Sequence, residues 1–182
     1  GPATLADGGA SCRPLGPARP SIAPHFSPMS DPLHEAWRNC RTAIDAAAGP
    51  GRRVVLVAAS KAQPAYRVRA LAAAGQRRFG ENYVQEALPK IEACADLGLE
   101  WHFIGPLQSN KAREVARRFD WVQSVDRASL AAALDRHRPA ASPPLQVLLQ
   151  VNIDAEASKS GCAPAGLPAL AAAVMAHPRL RL

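Results

Sequence analysis

VVLVAASKAQPAYRVRALAAAGQRRFGENYV, residues 54–84, is the stretch that decides the fold. It opens with an unbroken apolar run over residues 54–59. A half-exposed strand would alternate apolar and polar residues, so an unbroken run predicts a strand covered on both faces. Pro64 then starts a helical segment through Val68, Leu71 and Ala72, and Gly75 stops it. Residues 77–80 read as a second short strand. Strand, helix, strand is one βα unit running into the next.

Working downstream, the pattern repeats. Asn82 is placed to cap the next helix, with Gln85 three residues on, a variant of the capping box. Val84, Leu88, Ile91 and Ala95 form its buried stripe. Pro89 interrupts it, at a cost of about 3 kcal/mol unless the helix bends or restarts there. Residues 100–104 predict a third strand, and 109–119 a helix capped by Ser109. Residues 121–125 and 127–137 repeat the unit. Ser142-Pro143-Pro144 reads as a linker, 145–151 as a fifth strand, 165–176 as a helix, and 179–182 as the start of a sixth strand. The first strands begin roughly 23 residues apart, the pitch of a βα unit.

Upstream, residues 1–28 are rich in proline, glycine, alanine and serine without periodicity. They read as a disordered N-terminal extension, or a remnant added ahead of the natural start. Met29 suits such a start. Asp31 can cap a helix with Pro32 at its first position. Leu33, Trp37, Cys40, Ile44 and Ala47 recur at helical spacing until Gly49-Pro50-Gly51.

Repeated βα units build either a doubly wound sheet or a closed barrel. No Gly-x-Gly-x-x-Gly follows the first strand, which counts against the dinucleotide-binding sheet. In the fifth strand Gln146, Leu148, Gln150 and Asn152 alternate with Val147, Leu149 and Val151. One face is therefore partly polar, as in a barrel interior near a ligand. The expected architecture is an α/β parallel (β/α)8 barrel over residues 29–182. A complete barrel takes about 250 residues and eight strands. This sequence supplies about five βα units, so its C-terminal part reads as missing.

The chain has 182 residues and a formal charge of +7, carried mainly by arginines scattered in pairs. No block is long enough to read as a nucleic-acid arm. None of Cys12, Cys40, Cys94 and Cys162 forms a Cys-x-x-Cys pair or has histidine at metal spacing, so reduced structural thiols in a cytoplasmic protein are expected. No apolar run approaches a membrane span, and no signal-peptide core is evident.

Of four lysines, only Lys61 stands at the carboxyl end of an apolar strand, the active face of such barrels. Partial desolvation there disfavours an ammonium and frees an amine to condense with an aldehyde. The alternative is a snorkelling lysine at a strand end. Asn82, in Gly80-Glu81-Asn82-Tyr83, ends the second strand; it can bond a ring substituent or simply cap its helix. His102, in Trp101-His102-Phe103-Ile104-Gly105, can stack on a planar ring or be a satisfied core histidine. No nucleophile–base set, zinc-protease motif or Walker loop appears, so no catalytic residue and no metal ligand is assigned.

Six ordered segments resemble one family. They are Ala59-Ser60-Lys61; residues 79–87; residues 101–111; Ser124-Val125-Asp126; Gln150-Val151-Asn152-Ile153; and Ser158-Lys159-Ser160-Gly161. Together they look like the pyridoxal phosphate homeostasis proteins. The resemblance implies a barrel like the N-terminal domain of alanine racemase, with pyridoxal 5′-phosphate (PLP) held as a Schiff base on Lys61. Asn82 and His102 fall in motifs near the cofactor. It further implies a cytoplasmic, non-enzymatic role in storing, buffering or delivering PLP to PLP-dependent apoenzymes, by a monomer or weak dimer with no nucleic-acid or membrane partner. Ala62 and Gln63 stand where the family often has threonine and a second lysine, which changes the rim of the site.

Other readings place a PLP-dependent amino-acid racemase or a Schiff-base aldolase on the same barrel. A racemase needs a second acid/base opposite the lysine, and Tyr66 and Tyr83 are the only tyrosines. A charge-driven nucleic-acid role would show as salt-dependent binding.

Overall fold

The computed structural model describes residues 32–182. The expectations for the 1–28 extension, the Met29 start, the Asp31 cap and Cys12 lie outside the described residues. The elements run α1 (Pro32–Ala48), β1 (Ala58–Ala59), α2 (Ala65–Ala73), β2 (Arg78–Glu81), α3 (Val84–Ala93), β3 (Glu100–Phe103), α4 (Ala112–Arg118), β4 (Trp121–Val125), α5 (Ala128–His137), β5 (Leu145–Leu149), α6 (Leu167–Met175) and β6 (Leu180–Arg181).

All five strand pairs are parallel, and the sheet order is β1-β2-β3-β4-β5-β6. That order is the decisive fact. A doubly wound sheet reverses direction partway and carries helices on both faces. A sheet that always steps the same way through right-handed crossovers lays every helix on one side, which is the wall of a β/α barrel. Here β1 and β6 form the two edges.

Side-chain alternation sorts the two faces. Phe79, Trp101, Phe103, Val122, Leu145 and Val147 point to the helices and are buried. Phe103 meets Phe119 edge-on at 5.4 Å, and Phe79 lies 5.8 Å from Trp101. Val115, Leu130, Leu134 and Val174 close the core from the helix side. Each such side chain contributes roughly 1.5–3 kcal/mol on burial. The opposite face carries Arg78, Glu100, His102, Trp121, Gln123 and Gln146, with Leu148 44% exposed among them. The polar alternation of the fifth strand is thus the alternation of a barrel interior.

Several local expectations need correction. The first strand is two residues long rather than six, and Val54 and Val55 are 43% and 50% exposed. The run is apolar, but only Ala58 and Ala59 pair with β2, and among the described residues β2 is their one strand partner. Instead Gln76 reaches across to it, donating to Leu56 O at 2.9 Å while accepting Trp37 Nε1–H at 2.9 Å, and so fastens α1 to the sheet. Residues 109–111 are a 3-10 turn before α4, Lys111 stands at the cap position of α4, and the Ser109 hydroxyl accepts from Arg127 at 3.0 Å. Helix α3 continues through Pro89 without a break. No helix among the described residues is long and apolar enough to cross a membrane.

Candidate functional site

Lys61 follows the carboxyl end of β1, within the turn that leads to α2. The expected desolvation is not found: its side chain is exposed, and it makes no hydrogen bond or ion pair with the described residues. The backbone around Lys61, by contrast, is tightly held. Ser60 is buried; its N–H donates to Gly80 O at 2.9 Å and its hydroxyl to Glu81 Oε1 at 2.6 Å. On the other side, the Ala62 N–H donates to Glu86 Oε1. Ala62 has φ 58°, a left-handed conformation that costs a residue with a Cβ about 1–2 kcal/mol, so this bond opposes a local strain.

These bonds converge on Lys90. Lys90 is 6% exposed, and its ammonium donates to Ser60 O at 2.7 Å, Glu81 Oε1 at 2.7 Å and Glu86 Oε1 at 2.8 Å. Every N–H is therefore engaged. The Lys90 bond is the main reason the Glu86 carboxyl titrates below its ordinary value. Glu81 is fully buried, and its Oε2 has no partner.

Asn82 directly follows the carboxyl end of β2 but does not cap α3: Tyr83 occupies the cap position and no side-chain cap bond forms. Asn82 Oδ1 is instead buried without a donor. Its backbone packs so closely on the β3 end that a Cβ on Gly105 would lie 2.7 Å from Asn82 Cα, which explains a glycine there. A cleft of about 510 Å³ opens beside it, lined by Asn82, Tyr83, Gln108, Lys111, Arg127 and Ser160 among others.

His102 lies on the polar face, registered with Gly80 and Trp121. It stacks on Trp121 at 5.4 Å and 10°. Gln123 Nε2 donates to His102 Nδ1 at 3.0 Å, so the proton sits on Nε2 and is given to Glu100 Oε1 at 2.9 Å. Burial pushes the imidazole below its ordinary pKa, outweighing the Glu100 carboxylate that pulls it up. Burial would raise Glu100, yet Arg78 at 2.7 Å and His102 together hold it below the usual carboxylate range.

Beyond β5, Asn152 folds the loop back on itself. Its Nδ2 donates to Glu156 O at 2.9 Å and its Oδ1 accepts the Glu156 N–H at 3.2 Å. Lys159 pairs with Glu156 at 2.8 Å. A second cleft of about 390 Å³ runs between this loop and Ile104 and Pro106.

Lys61, Asn82 and His102 therefore occupy the ends of three neighbouring strands, β1, β2 and β3. Sequence reading missed Lys90, Glu81, Glu86 and Gln123. The i, i+4 spacing of Glu86 and Lys90 was a visible signal, but it reads equally as a solvated helix pair. No cluster of metal ligands occurs among the described residues.

The family described as "Alanine racemase, N-terminal domain" matches residues 33–182. Fold and match together define a β/α-barrel protein of that class. A Pseudomonas aeruginosa protein named pyridoxal phosphate homeostasis protein is 54% identical over 157 residues, covering 86% of this chain and 68% of that one. The chain belongs to the pyridoxal phosphate homeostasis protein family. PipY of Synechococcus elongatus superposes with a TM-score of 0.74 at 38% identity without PLP, and 0.71 at 37% with PLP bound. Each alignment covers 82% of this chain and 67% of PipY.

Proposed function

We propose that this chain holds PLP covalently through the Lys61 amine and serves to store, buffer or deliver the cofactor without turnover of its own. PLP supplies an aldehyde, which condenses with a primary amine and releases water. The carrying observation is that Lys61 is exposed and unengaged while the backbone on both sides of it is pinned. Lys90 has no donor to spare, Lys159 is paired with Glu156, and Lys111 is half-buried at the start of α4, away from the end of β1. The residues present suit the group: no intramolecular bond must break to free Lys61, and Asn82 Oδ1 is a buried acceptor lacking a donor. His102, neutral and fixed by Glu100 and Gln123, offers a rigid wall on the polar face. The PLP-bound relative and the family name support the same reading.

The carrier role is favoured over a racemase by the tyrosines. Tyr66 and Tyr83, 65% and 61% exposed, lack the burial that tunes a catalytic acid/base. The free thiols Cys40, Cys94 and Cys162 suit a reducing, cytoplasmic setting. PLP-dependent apoenzymes are the recipients in this reading, and the protein acts as a monomer or weak dimer. Titration with PLP tests it: wild type develops the visible absorption of the amine–aldehyde adduct, and Lys61→Ala loses most of it. Equal absorption in Lys61→Ala contradicts the assignment, and amino-acid racemisation by the PLP-loaded protein contradicts the carrier role.

A further inference from the structure

Three N–H donors of one buried ammonium serve the two residues that flank an exposed lysine. Lys90 Nζ holds the carbonyl of Ser60, immediately before Lys61, at 2.7 Å. It also holds Glu86 Oε1 at 2.8 Å, and that same oxygen takes the N–H of Ala62, immediately after Lys61. The third donor goes to Glu81 Oε1, which also accepts the Ser60 hydroxyl. An exposed Glu–Lys pair would support helix α3 without being buried. Removing an ammonium and the Glu81 carboxylate from water is unfavourable, and here the result is a fixed backbone on either side of a free amine.

We propose that Lys90 and Glu86 are positioning residues for Lys61. The ammonium fixes the carbonyl ahead of Lys61 and, through Glu86, the amide behind it. The Lys61 Cα then projects its side chain from one orientation instead of sampling those of a loose edge turn. The left-handed Ala62, with φ 58°, is the conformation this clamp enforces. The inference rests on the reading of Lys61 as the amine that carries PLP.

Two variants of Glu86 test it, because this side chain is 33% exposed and its loss leaves the Lys90 bonds to Ser60 and Glu81 in place. Glu86→Ala removes the acceptor for Ala62; Glu86→Gln keeps an oxygen for it. The first readout needs no cofactor. Hydrogen exchange at the Ala62 amide is expected to quicken about tenfold in Glu86→Ala and to recover in Glu86→Gln. The second is the rate at which borohydride traps PLP on Lys61, followed by peptide mapping. It is expected to fall about tenfold in Glu86→Ala, with partial recovery in Glu86→Gln. Unchanged trapping at Lys61 beside quickened Ala62 exchange overturns the positioning role alone, as does unchanged exchange. Wild-type label on a lysine other than Lys61 overturns the carrier reading and this inference together.

Discussion

Lys61 sits in the turn after β1 and Lys90 on α3, bonded to that turn, and the two could hardly be treated more differently. Lys61 is exposed and bonded to nothing described; Lys90 is 6% exposed with three acceptors within 2.8 Å. An amine engaged by two carboxylates and a carbonyl has neither a lone pair nor space for an aldehyde. A free amine on a mobile backbone reacts without direction. The two together separate reactivity from placement.

The contrast can be broken most forcefully at Lys90. Lys90→Met leaves Glu81 buried without its counter-charge, and urea denaturation should show a loss of about 3–5 kcal/mol. A loss below about 1 kcal/mol would mean the cluster is wetter than the structure shows. Next in size is Gly161→Ala. Gly161 has φ 130°, and an added Cβ would lie 2.6 Å from Asn152 N. Strain of about 1–3 kcal/mol should loosen the Asn152 loop, seen as faster exchange of the Glu156 amide. This effect should stay local, leaving the Lys90 cluster intact.

A smaller effect comes from His102. Burial lowers its folded pKa beneath the ordinary 6.5, so the unfolded chain binds a proton first as pH falls. Its contribution is fully present above about pH 6.5 and is lost as pH drops through the lower folded value. Urea midpoints at about pH 7.5 and 5.5 should differ more for wild type than for His102→Gln. The smallest effect sharpens the comparison: Lys61→Met should change stability by no more than about 0.5 kcal/mol. A larger loss would show that Lys61 has a structural bond after all.

The sequence made the succession of βα units legible because each carries its own punctuation, from Pro64 to Gly75 and onward. Lys61 stood out as a candidate because it follows the apolar run with only Ser60 between. The polar face was legible in the alternation from Gln146 to Gln150. The length of β1 was not, because Val54 and Val55 read as core whether or not a second strand covers them. Nor was the true state of Asn82, whose capping pattern is local while its position is set by Gly105, from another strand. The Lys90 cluster joins residues 60, 62, 81, 86 and 90 across a turn, a strand and a helix. Only the Glu86–Lys90 spacing is periodic, so the rest appears only when the chain is folded.

The decisive property of the site is which amine takes the aldehyde. Wild-type protein mixed with less than one equivalent of PLP, reduced with borohydride and mapped by peptide mass should carry its label on Lys61, with Lys90 unmodified. Label on Lys111, Lys159 or Lys90 while Lys61 stays bare would contradict it.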